Sequence, residues 1–476
     1  MNVLFLHLPL ARRSFQSEFA LPEPLTQMYL APTLGARHRL RFVDLRLERN
    51  LERALDRLEE FRPEAAVVGV NPLTLPSLGR VLGELRSRVP GLKILLHADA
   101  EYGNSHVSER PQDFLHPQAD ALVEPYFIAR QQEVIAGTLD AWQAGREPAV
   151  PGLWVNGRGT WRATEHVANV VGEIGVPDRT LLGTYRGRYR FAGIGRMAHL
   201  FYTYGCRFKC RFCPMSKHDG SIVTLPVDRL VQDLRAITEP HVFLEDFEPF
   251  LVPEAMSALA DAVEEAGIRK RWYMLTRADS ALAQHELIAR WKRLGLSWLY
   301  LGLDGESARR LKEIKKSSTV ETNERALHSM LDLGLAVTVG FVVRSDYTRE
   351  DFAALRAYVR HLRAPMVTFT VETPLVGTAL FDEAQRDLTT RDWSLFDLQH
   401  AVLPTALPLD EFYREMTRLH ATAGLRTMPA MLRHYPLRDV VRNWMAGADL
   451  MWRLRHAARD HEPPRPQSFV AGTSPA

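Results

Sequence analysis

Cysteine is scarce in this chain, and long apolar runs are missing. Three cysteines among 476 residues exclude a disulfide framework and are typical of a reducing compartment. No apolar run approaches the ~20 residues that a bilayer-spanning helix needs. The net charge is only +3, from 60 Lys and Arg against 57 Asp and Glu, and does not indicate a nucleic-acid-binding protein. Residues 1–10 lack a small-residue cleavage site and predict a first strand rather than a signal peptide. We therefore expect a cytoplasmic protein with no nucleic-acid partner.

The first 140 residues alternate between strand and helix patterns. Apolar runs at 3–6, 40–45, 65–70, 94–96 and 121–123 predict strands, and apolar residues at helical spacing lie between them. This alternation is typical of an open parallel sheet with helices on both faces. We expect an α/β chain whose residues 1–140 form a Rossmann-like domain, followed by a linker over 141–196, where the pattern fails.

A second, more regular α/β series covers residues 197–385. Strands are predicted at 200–203, 242–244, 272–275, 298–303, 337–343 and 367–371. Three helices end at Gly267, Gly295 and Gly334, each followed by an apolar residue, as in a left-handed helix cap. Six such units predict a partial (β/α)6 barrel. Residues 386–462 are predicted to form a C-terminal helical region, and 463–476 a disordered tail.

All three cysteines, Cys206, Cys210 and Cys213, fall within eight residues. Unrelated structural thiols would rarely cluster in this way, whereas thiolates ligate zinc or iron–sulfur clusters. A zinc site would recruit His218, but the spacing Cys-x3-Cys-x2-Cys-x4-His matches none of the usual structural zinc patterns. Three cysteines on a [4Fe–4S] cluster leave one iron without a protein ligand, and chemistry can occur there.

This motif resembles that of the radical S-adenosylmethionine (SAM) enzymes, Cys-x3-Cys-x-aromatic-Cys, with Phe212 in the aromatic place. The resemblance implies that the three cysteines are catalytic cluster ligands and that SAM binds the free iron through its amino and carboxylate groups. An electron from the cluster then cleaves SAM to a 5′-deoxyadenosyl radical. An external electron donor of flavodoxin or ferredoxin type is implied as well.

Polar residues after later strands are similar to the SAM-binding positions of the family. After the second strand, Glu245 or Asp246 would hold the SAM amino group, with an ordinary acidic loop as the alternative. After the third strand, Arg277 and Asp279 would meet the SAM carboxylate or ribose, with a surface salt bridge as the alternative.

Two further loops extend the resemblance. Asp304, after the fourth strand, would bind ribose hydroxyls. The loop from Thr373 to Thr378 contains Pro374 and Gly377, and it resembles the segment that lies beside adenine. Any turn that ends a strand has a similar composition, so this alternative stays open.

The whole arrangement resembles the cobalamin-dependent branch, and in detail the hopanoid C-3 methylase group. Matching stretches begin at Ala266, Arg277, Val320, Tyr347, Leu388, Phe396 and Glu411. The resemblance implies a methyltransferase that uses cobalamin to methylate an unactivated carbon of a hydrophobic small molecule.

The N-terminal domain departs from that branch. Asn71 and Leu73 occupy cobalamin-binding slots, but residues 96–100 replace a Gly-Gly-His turn and 123–127 replace a glycine-containing loop. Asp99, Tyr126 and Phe127 add bulk there. Two alternatives therefore stay open. One is a cobalamin-independent radical enzyme that catalyses rearrangement, cyclisation or other C–C bond chemistry, with a degenerate first domain. The other is a non-catalytic iron–sulfur or zinc scaffold.

An apolar stripe near the C-terminus is flanked by arginines. A helix packed on the barrel is the favoured interpretation, and a peripheral membrane contact is the alternative. The members of the stripe are Val440, Val441, Trp444, Met445, Ala448 and Met451. His218, His400 and His434 stand alone in the sequence and are predicted to be structural.

Overall fold

Two large sheets, one mixed and one entirely parallel, organise the chain. The computed structural model describes residues 1–11, 14–15, 20–48, 50–56, 58, 60–99, 105–125, 127–167, 174–191 and 194–462. The predicted tail 463–476, together with Ala100 and Tyr126, lies outside these residues.

The first sheet has the strand order β2-β1-β3-β4-β5-β6-β7. Its strands are β1 Asn2–His7, β2 Arg39–Asp44, β3 Ala65–Val70, β4 Lys93–Ala98, β5 Ala121–Val123, β6 Leu153–Gly157 and β7 Thr160–Ala163. The first five strands are parallel. The helices of this half are α1 Leu25–Gly35, α2 Leu51–Asp56, α3 Leu75–Arg88, α4 Ser105–Glu109 and α5 Ile128–Gln143. Alternate residues of β3 belong to two apolar cores, one on each face of the sheet, which confirms the predicted α/β architecture.

The segment 141–196, predicted as a linker, contains part of the first sheet. Strands β6 and β7 form a hairpin that pairs antiparallel with β5. Burial of Leu153 and Val155 against the first core explains why the hairpin docks there. Further along, Arg190–Phe191 pairs with Ala20–Leu21 and with Ile194–Gly195, so that a small three-stranded sheet connects the two halves.

The second sheet has six parallel strands in sequential order. They are β8 Met197–Leu200, β9 His241–Leu244, β10 Arg271–Arg277, β11 Leu296–Asp304, β12 Ala336–Val343 and β13 Met366–Val371. The helices of this half are α6 Val227–Ala236, α7 Pro253–Glu265, α8 Ala278–Ala283, α9 His285–Arg293, α10 Ala308–Glu313, α11 Val320–Asp332, α12 Arg349–Leu362 and α13 Ala379–Ala384. The predicted partial barrel with six strands is confirmed, and five of the strands lie where they were predicted, whereas the first lies at Met197–Leu200 rather than at 200–203.

One end of the barrel interior is filled by apolar side chains. Tyr273, Trp298 and Met366, near the amino ends of their strands, form a cluster with Met431 and Tyr435 from the C-terminal region. Because this end is packed, ligands must enter at the carboxyl ends of the strands, where barrel enzymes build their sites.

Two long helices, α14 Leu409–His434 and α15 Leu437–His456, make up most of the C-terminal region. The inner face of α15 carries Val440, Leu450 and Leu454, all buried. Val440 packs with barrel residues, as predicted for this helix, but Val441, Trp444 and Met445 are exposed, so the stripe as a whole does not pack on the barrel. Helical spacing explains this, because positions 440, 450 and 454 share one face and 441, 444 and 445 lie on another. Among the described helices, none is long and apolar enough to cross a bilayer.

A buried ion network links the two halves. The Arg179 guanidinium donates to both carboxylate oxygens of Asp233, at 2.6 and 2.9 Å, and to Glu23 at 2.8 Å. It also donates to the carbonyl of His199 at 2.8 Å, and the backbone N–H of His199 donates to Glu23 at 2.7 Å. Glu23 belongs to the first half, while Asp233 and His199 belong to the barrel, so one guanidinium fixes their relative position.

His400 lies between two carboxylates at the C-terminal end. Its Nδ1 is 3.0 Å from Asp397 and its Nε2 is 3.3 Å from Asp460. Burial alone would lower the pKa of His400, but the two carboxylates outweigh it and raise the pKa to about 9. Its predicted structural role fits this geometry.

We expect His400 to make stability depend on pH. A folded-state pKa above the ordinary 6.5 means that the charged pair stabilises the fold fully below pH 6.5 and is lost as pH rises through 9. The contribution is about 3 kcal/mol. Urea unfolding of the wild-type protein and His400→Gln should show a stability difference that shrinks between pH 6.5 and 9. A constant difference would contradict this assignment.

Candidate active site

The three cysteines lie on one loop at the carboxyl end of β8. The loop runs from the short strand Thr203–Tyr204 to the 3-10 helix Pro214–Lys217. Gly205 has φ 114°, and a Cβ there would collide with the carbonyl oxygen of Ser221, so glycine alone permits the turn into Cys206. The N–H of Cys213 donates to the carbonyl of Cys210 at 3.0 Å. Phe212, in the aromatic place of the motif, is partly buried.

Asp246 holds the start of this loop. Its carboxylate accepts hydrogen bonds from the backbone N–H groups of Tyr202 and Thr203, at 2.7 and 2.9 Å, and from the Thr203 hydroxyl at 2.7 Å. Burial raises the pKa of Asp246 to about 7. Both carboxylate oxygens are therefore engaged within the protein.

Glu245, the neighbouring acidic residue, is more exposed than Asp246. It pairs with the buried His199 and keeps 23% of its side chain exposed. Of the two acidic residues, Glu245 is thus the one that can reach a ligand, and its contact with the SAM amino group stays a prediction.

Arg277, at the end of β10, contacts the cysteine loop directly. Its Nη1 lies 3.5 Å from the Cys210 sulfur, and its guanidinium carbon lies 3.7 Å from the centroid of the Phe208 ring. Two further hydrogen bonds of 2.9 Å reach Asp279. Arg277 is buried and Asp279 keeps 30% of its side chain exposed, and the contact of either residue with SAM stays a prediction.

Glu248 is a site residue that the sequence analysis missed. Its carboxylate accepts from the Thr276 hydroxyl at 2.5 Å and from the backbone N–H of Arg277 at 2.7 Å. Burial raises its pKa to about 7. The available signal was a third acidic residue just before Pro249, where the 3-10 helix Pro249–Leu251 begins.

The thiols lie in a poorly solvated pocket with cationic neighbours. Burial raises the pKa of Cys213 to about 12 and also raises those of Cys206 and Cys210. The positive charges of Lys316 and Arg277 oppose this effect at Cys210. A bound metal centre would keep such thiols ionised.

Three free cysteine thiols on one loop are the ligand type that iron–sulfur clusters use. Among the described residues, no three Cys, His, Asp or Glu side chains are gathered closely enough to hold one metal ion. His218, required by the zinc alternative, accepts a hydrogen bond from the N–H of Gly220 at 3.2 Å and packs against Tyr204.

Two later loops also reach the site. Asp304 has φ 63° and pairs with Lys316, which the sequence analysis did not select. Thr373, Pro374 and Gly377 are buried in the loop that follows β13. At the end of this loop, the backbone N–H of Ala379 donates to the hydroxyl of Ser216, next to the cysteine loop, at 3.0 Å. The roles of Asp304 and of this loop in binding SAM stay predictions.

The carboxyl edge of the first sheet faces this site. Phe127, which follows β5, packs against Phe201 and Tyr204 at centroid distances of 6.2 and 5.3 Å. Lys217 of the cysteine loop pairs with Glu109 of α4 at 2.9 Å. The two carboxyl edges therefore meet, as they must if one ligand is to contact both.

Buried polar groups gather at this edge of the first sheet. The Asn71 side chain accepts from the N–H of Leu73 at 3.0 Å, while its Nδ2, the Nε2 of His7 and the Oε1 of Gln27 find no hydrogen-bond partner among the described residues. Burial lowers the pKa of His97 to about 4, so its imidazole is neutral. Buried polar atoms normally find partners, so this cluster fits a polar ligand.

Replacing Arg277 by alanine should weaken SAM binding more than cluster binding. The guanidinium sits beside Cys210 without being a cluster ligand, and charge-assisted contacts of this kind contribute about a factor of ten in affinity. The SAM concentration at half-maximal cleavage should rise while the iron content stays unchanged. Arg293→Ala, an exposed arginine of α9, serves as the control. Unchanged SAM dependence in Arg277→Ala would remove Arg277 from the site.

Comparison with known proteins agrees with this geometry. The model of the radical SAM superfamily matches residues 200–359. The hopanoid C-3 methylase of Methylococcus capsulatus is 30% identical over 406 residues, which cover 83% of this chain and 75% of that protein.

Two solved structures share the fold. The cobalamin-dependent radical SAM enzyme OxsB, with aqua-cobalamin and SAM bound, superposes with a TM-score of 0.67 at 13% identity, covering 97% of this chain and 71% of that one. The radical SAM methyltransferase TsrM from Kitasatospora setae, with cobalamin and a [4Fe–4S] cluster bound, superposes with a TM-score of 0.65 at 13% identity. The superposition covers 96% of this chain and 99% of that one.

The likeness to the two solved structures establishes only the fold, whereas the relationship to the methylase is one of sequence and covers 83% of this chain. The three-cysteine loop at the barrel mouth is the feature that the superfamily uses to bind a [4Fe–4S] cluster and SAM. The chain is an enzyme of the radical SAM superfamily.

Proposed function

We propose that the protein is a cobalamin-dependent C-methyltransferase that methylates an unactivated carbon of a hydrophobic small molecule. The observation that carries this proposal is the meeting of two carboxyl edges, one with the three thiols and the other with buried polar atoms that find no partner among the described residues. The cluster and SAM would supply the radical that removes hydrogen from the substrate, and cobalamin would supply the methyl group.

Cobalamin would be held at the carboxyl edge of the first sheet. Ligands of open parallel sheets bind at this edge. The amide-rich periphery of a corrinoid matches the neutral donors and acceptors of Asn71, Gln27 and His7. The backbone of Leu73 lies on the same turn after β3.

The substrate would lie near the aromatic side chains at the barrel mouth. Tyr204, which leads into the cysteine loop, contacts Phe127 at a centroid distance of 5.3 Å and Phe247 at 6.2 Å. Such a lining suits an apolar substrate. Electrons would come from a flavodoxin- or ferredoxin-type donor, because exposed Arg207 and Lys209 give the cysteine loop a cationic surface for an acidic partner.

A second candidate is a radical SAM enzyme that does not use cobalamin. The packing of Phe127 against Tyr204 favours it, because bulky aromatic side chains there join the two edges directly. It would catalyse rearrangement, cyclisation or other C–C bond chemistry.

Anaerobic purification from cells supplied with cobalamin separates the two candidates. The proposal predicts corrinoid absorbance at about one equivalent per chain, together with substrate methylation. Cluster absorbance alone, with deoxyadenosine formed and no corrinoid retained, would favour the second candidate.

Asn71→Ser provides a sharper variant for the cobalamin site. Serine keeps the side-chain oxygen that caps the following turn but removes the Nδ2 donor. Corrinoid affinity should fall about tenfold while the cluster content stays the same. Unchanged corrinoid affinity would remove Asn71 from the cobalamin site.

A further inference from the structure

The exposed apolar side chains of this protein are concentrated on one hairpin. Among the described residues, the exposed large apolar side chains are Phe247, Leu432, Leu437, Val441, Trp444, Met445 and Trp452. All but Phe247 belong to α14 and α15. Isolated exposed apolar residues are normal, but a concentrated set marks an interaction surface.

On α15 these residues share one face. Leu437, Val441, Trp444, Met445 and Trp452 recur at spacings of three, four, seven and eight, so they project from the same side of the helix. The exposed fraction is 58% for Trp444, 61% for Met445, 64% for Trp452 and 67% for Leu437. The opposite face, with Val440, Leu450 and Leu454, is buried, so α15 stays packed while it presents these side chains.

Basic residues border the apolar face. Arg438, Arg442 and Arg455 are exposed along one edge and at the end of the helix, and Asp449 is the exposed acidic residue among them. Asp439 is buried. A helix with tryptophans on its apolar face and arginines beside them has the charge and amphipathic pattern of one that lies in an anionic membrane interface.

We propose that the exposed face of α15 docks on an anionic lipid surface, with α15 lying in the interface plane. The apolar side chains enter the headgroup boundary, and Arg438 and Arg442 meet lipid phosphates. This proposal goes beyond the proposed function and does not depend on it, because it concerns a surface on which no cofactor or substrate residue has been placed.

Flotation with vesicles tests the proposal on the full-length, cluster-loaded enzyme. It should bind vesicles of phosphatidylcholine mixed with phosphatidylglycerol, bind pure phosphatidylcholine vesicles weakly, and dissociate as salt is raised. Trp444→Ser combined with Met445→Ser should weaken binding at least about tenfold. Arg438→Glu with Arg442→Glu should weaken binding only to the anionic vesicles.

Matched controls keep the result interpretable. Arg53→Glu with Arg325→Glu reverses two exposed arginines elsewhere and should leave binding unchanged. Deoxyadenosine formation in the absence of vesicles should be the same in all of these variants. Equal rates would show that the variants are folded.

Three outcomes would overturn the proposal. The first is equal vesicle binding by the wild-type protein and the Trp444/Met445 variant. The second is self-association abolished by the same substitutions without vesicle binding, which would identify a second copy as the occupant. The third is vesicle binding only after removal of residues 463–476, which would identify that segment as the cover of this face.

Discussion

Alanine at Cys206, Cys210 or Cys213 is expected to abolish reductive cleavage of SAM. Each thiol lies on the same turned loop, and the sequence holds no fourth cysteine that could replace a lost ligand. A cluster held by two thiolates would be lost or reduced in content. Iron content and deoxyadenosine production, measured after anaerobic reconstitution, should both fall to background.

The fold should survive these substitutions. The loop is fixed by Asp246 and by the loop that follows β13, and neither contact uses a sulfur atom. Circular dichroism of the apoprotein should therefore match that of the wild type. Arg293→Ala, at an exposed arginine of α9, should retain full cleavage. Deoxyadenosine production at the wild-type rate by any cysteine variant would refute its assigned role.

Replacing Arg179 by methionine is expected to give the largest loss of stability. The substitution leaves the carboxylates of Glu23 and Asp233, both buried, without their cation. Breaking a buried ion pair from one side costs about 3–5 kcal/mol. Urea unfolding should register this loss, and proteolysis between the two halves should become faster.

Arg186 offers a matched control seven residues away. Its guanidinium donates two hydrogen bonds to the carboxylate of Glu239, at 2.9 and 3.2 Å, but 25% of the Arg186 side chain is exposed. Only one buried carboxylate, that of Glu239, loses its cation here, so Arg186→Met should cost clearly less than Arg179→Met, which strips the cation from two. Equal losses in the two variants would contradict the role of Arg179 as the cation that fixes the two halves.

Much of the fold was predictable because local signals were strong. Gly267, Gly295 and Gly334 all adopt positive φ, at 62, 103 and 73°, as their positions after three helices predict. The six barrel strands appear as apolar runs because parallel strands are buried on both faces.

The hairpin β6–β7 was not predicted. Its outer strand, Thr160–Ala163, is largely exposed and carries no buried apolar pattern of its own. It pairs with Leu153–Gly157 within the chain, and that strand docks on β5 through tertiary contacts. A strand held in this way leaves a weak signal in the sequence, which explains the linker predicted there.

The cysteine loop was predictable from the spacing of its cysteines, whereas the residues that hold the loop in place were not. Arg277 and Cys210 are 67 positions apart, and the contact between guanidinium and sulfur exists only because β8 and β10 end at the same edge. Glu248 accepts a hydrogen bond from the backbone N–H of Arg277, and no pattern in the sequence predicts such a bond. The exposed face of α15 likewise depends on which side of the helix meets the barrel.

Electron paramagnetic resonance of the reduced cluster, recorded with and without SAM, tests the central claim most directly. If one iron lacks a thiolate and accepts SAM, the protein holds one [4Fe–4S] cluster and its spectrum changes when SAM is added. An identical spectrum with saturating SAM, or one equivalent of zinc in place of iron, would contradict the account.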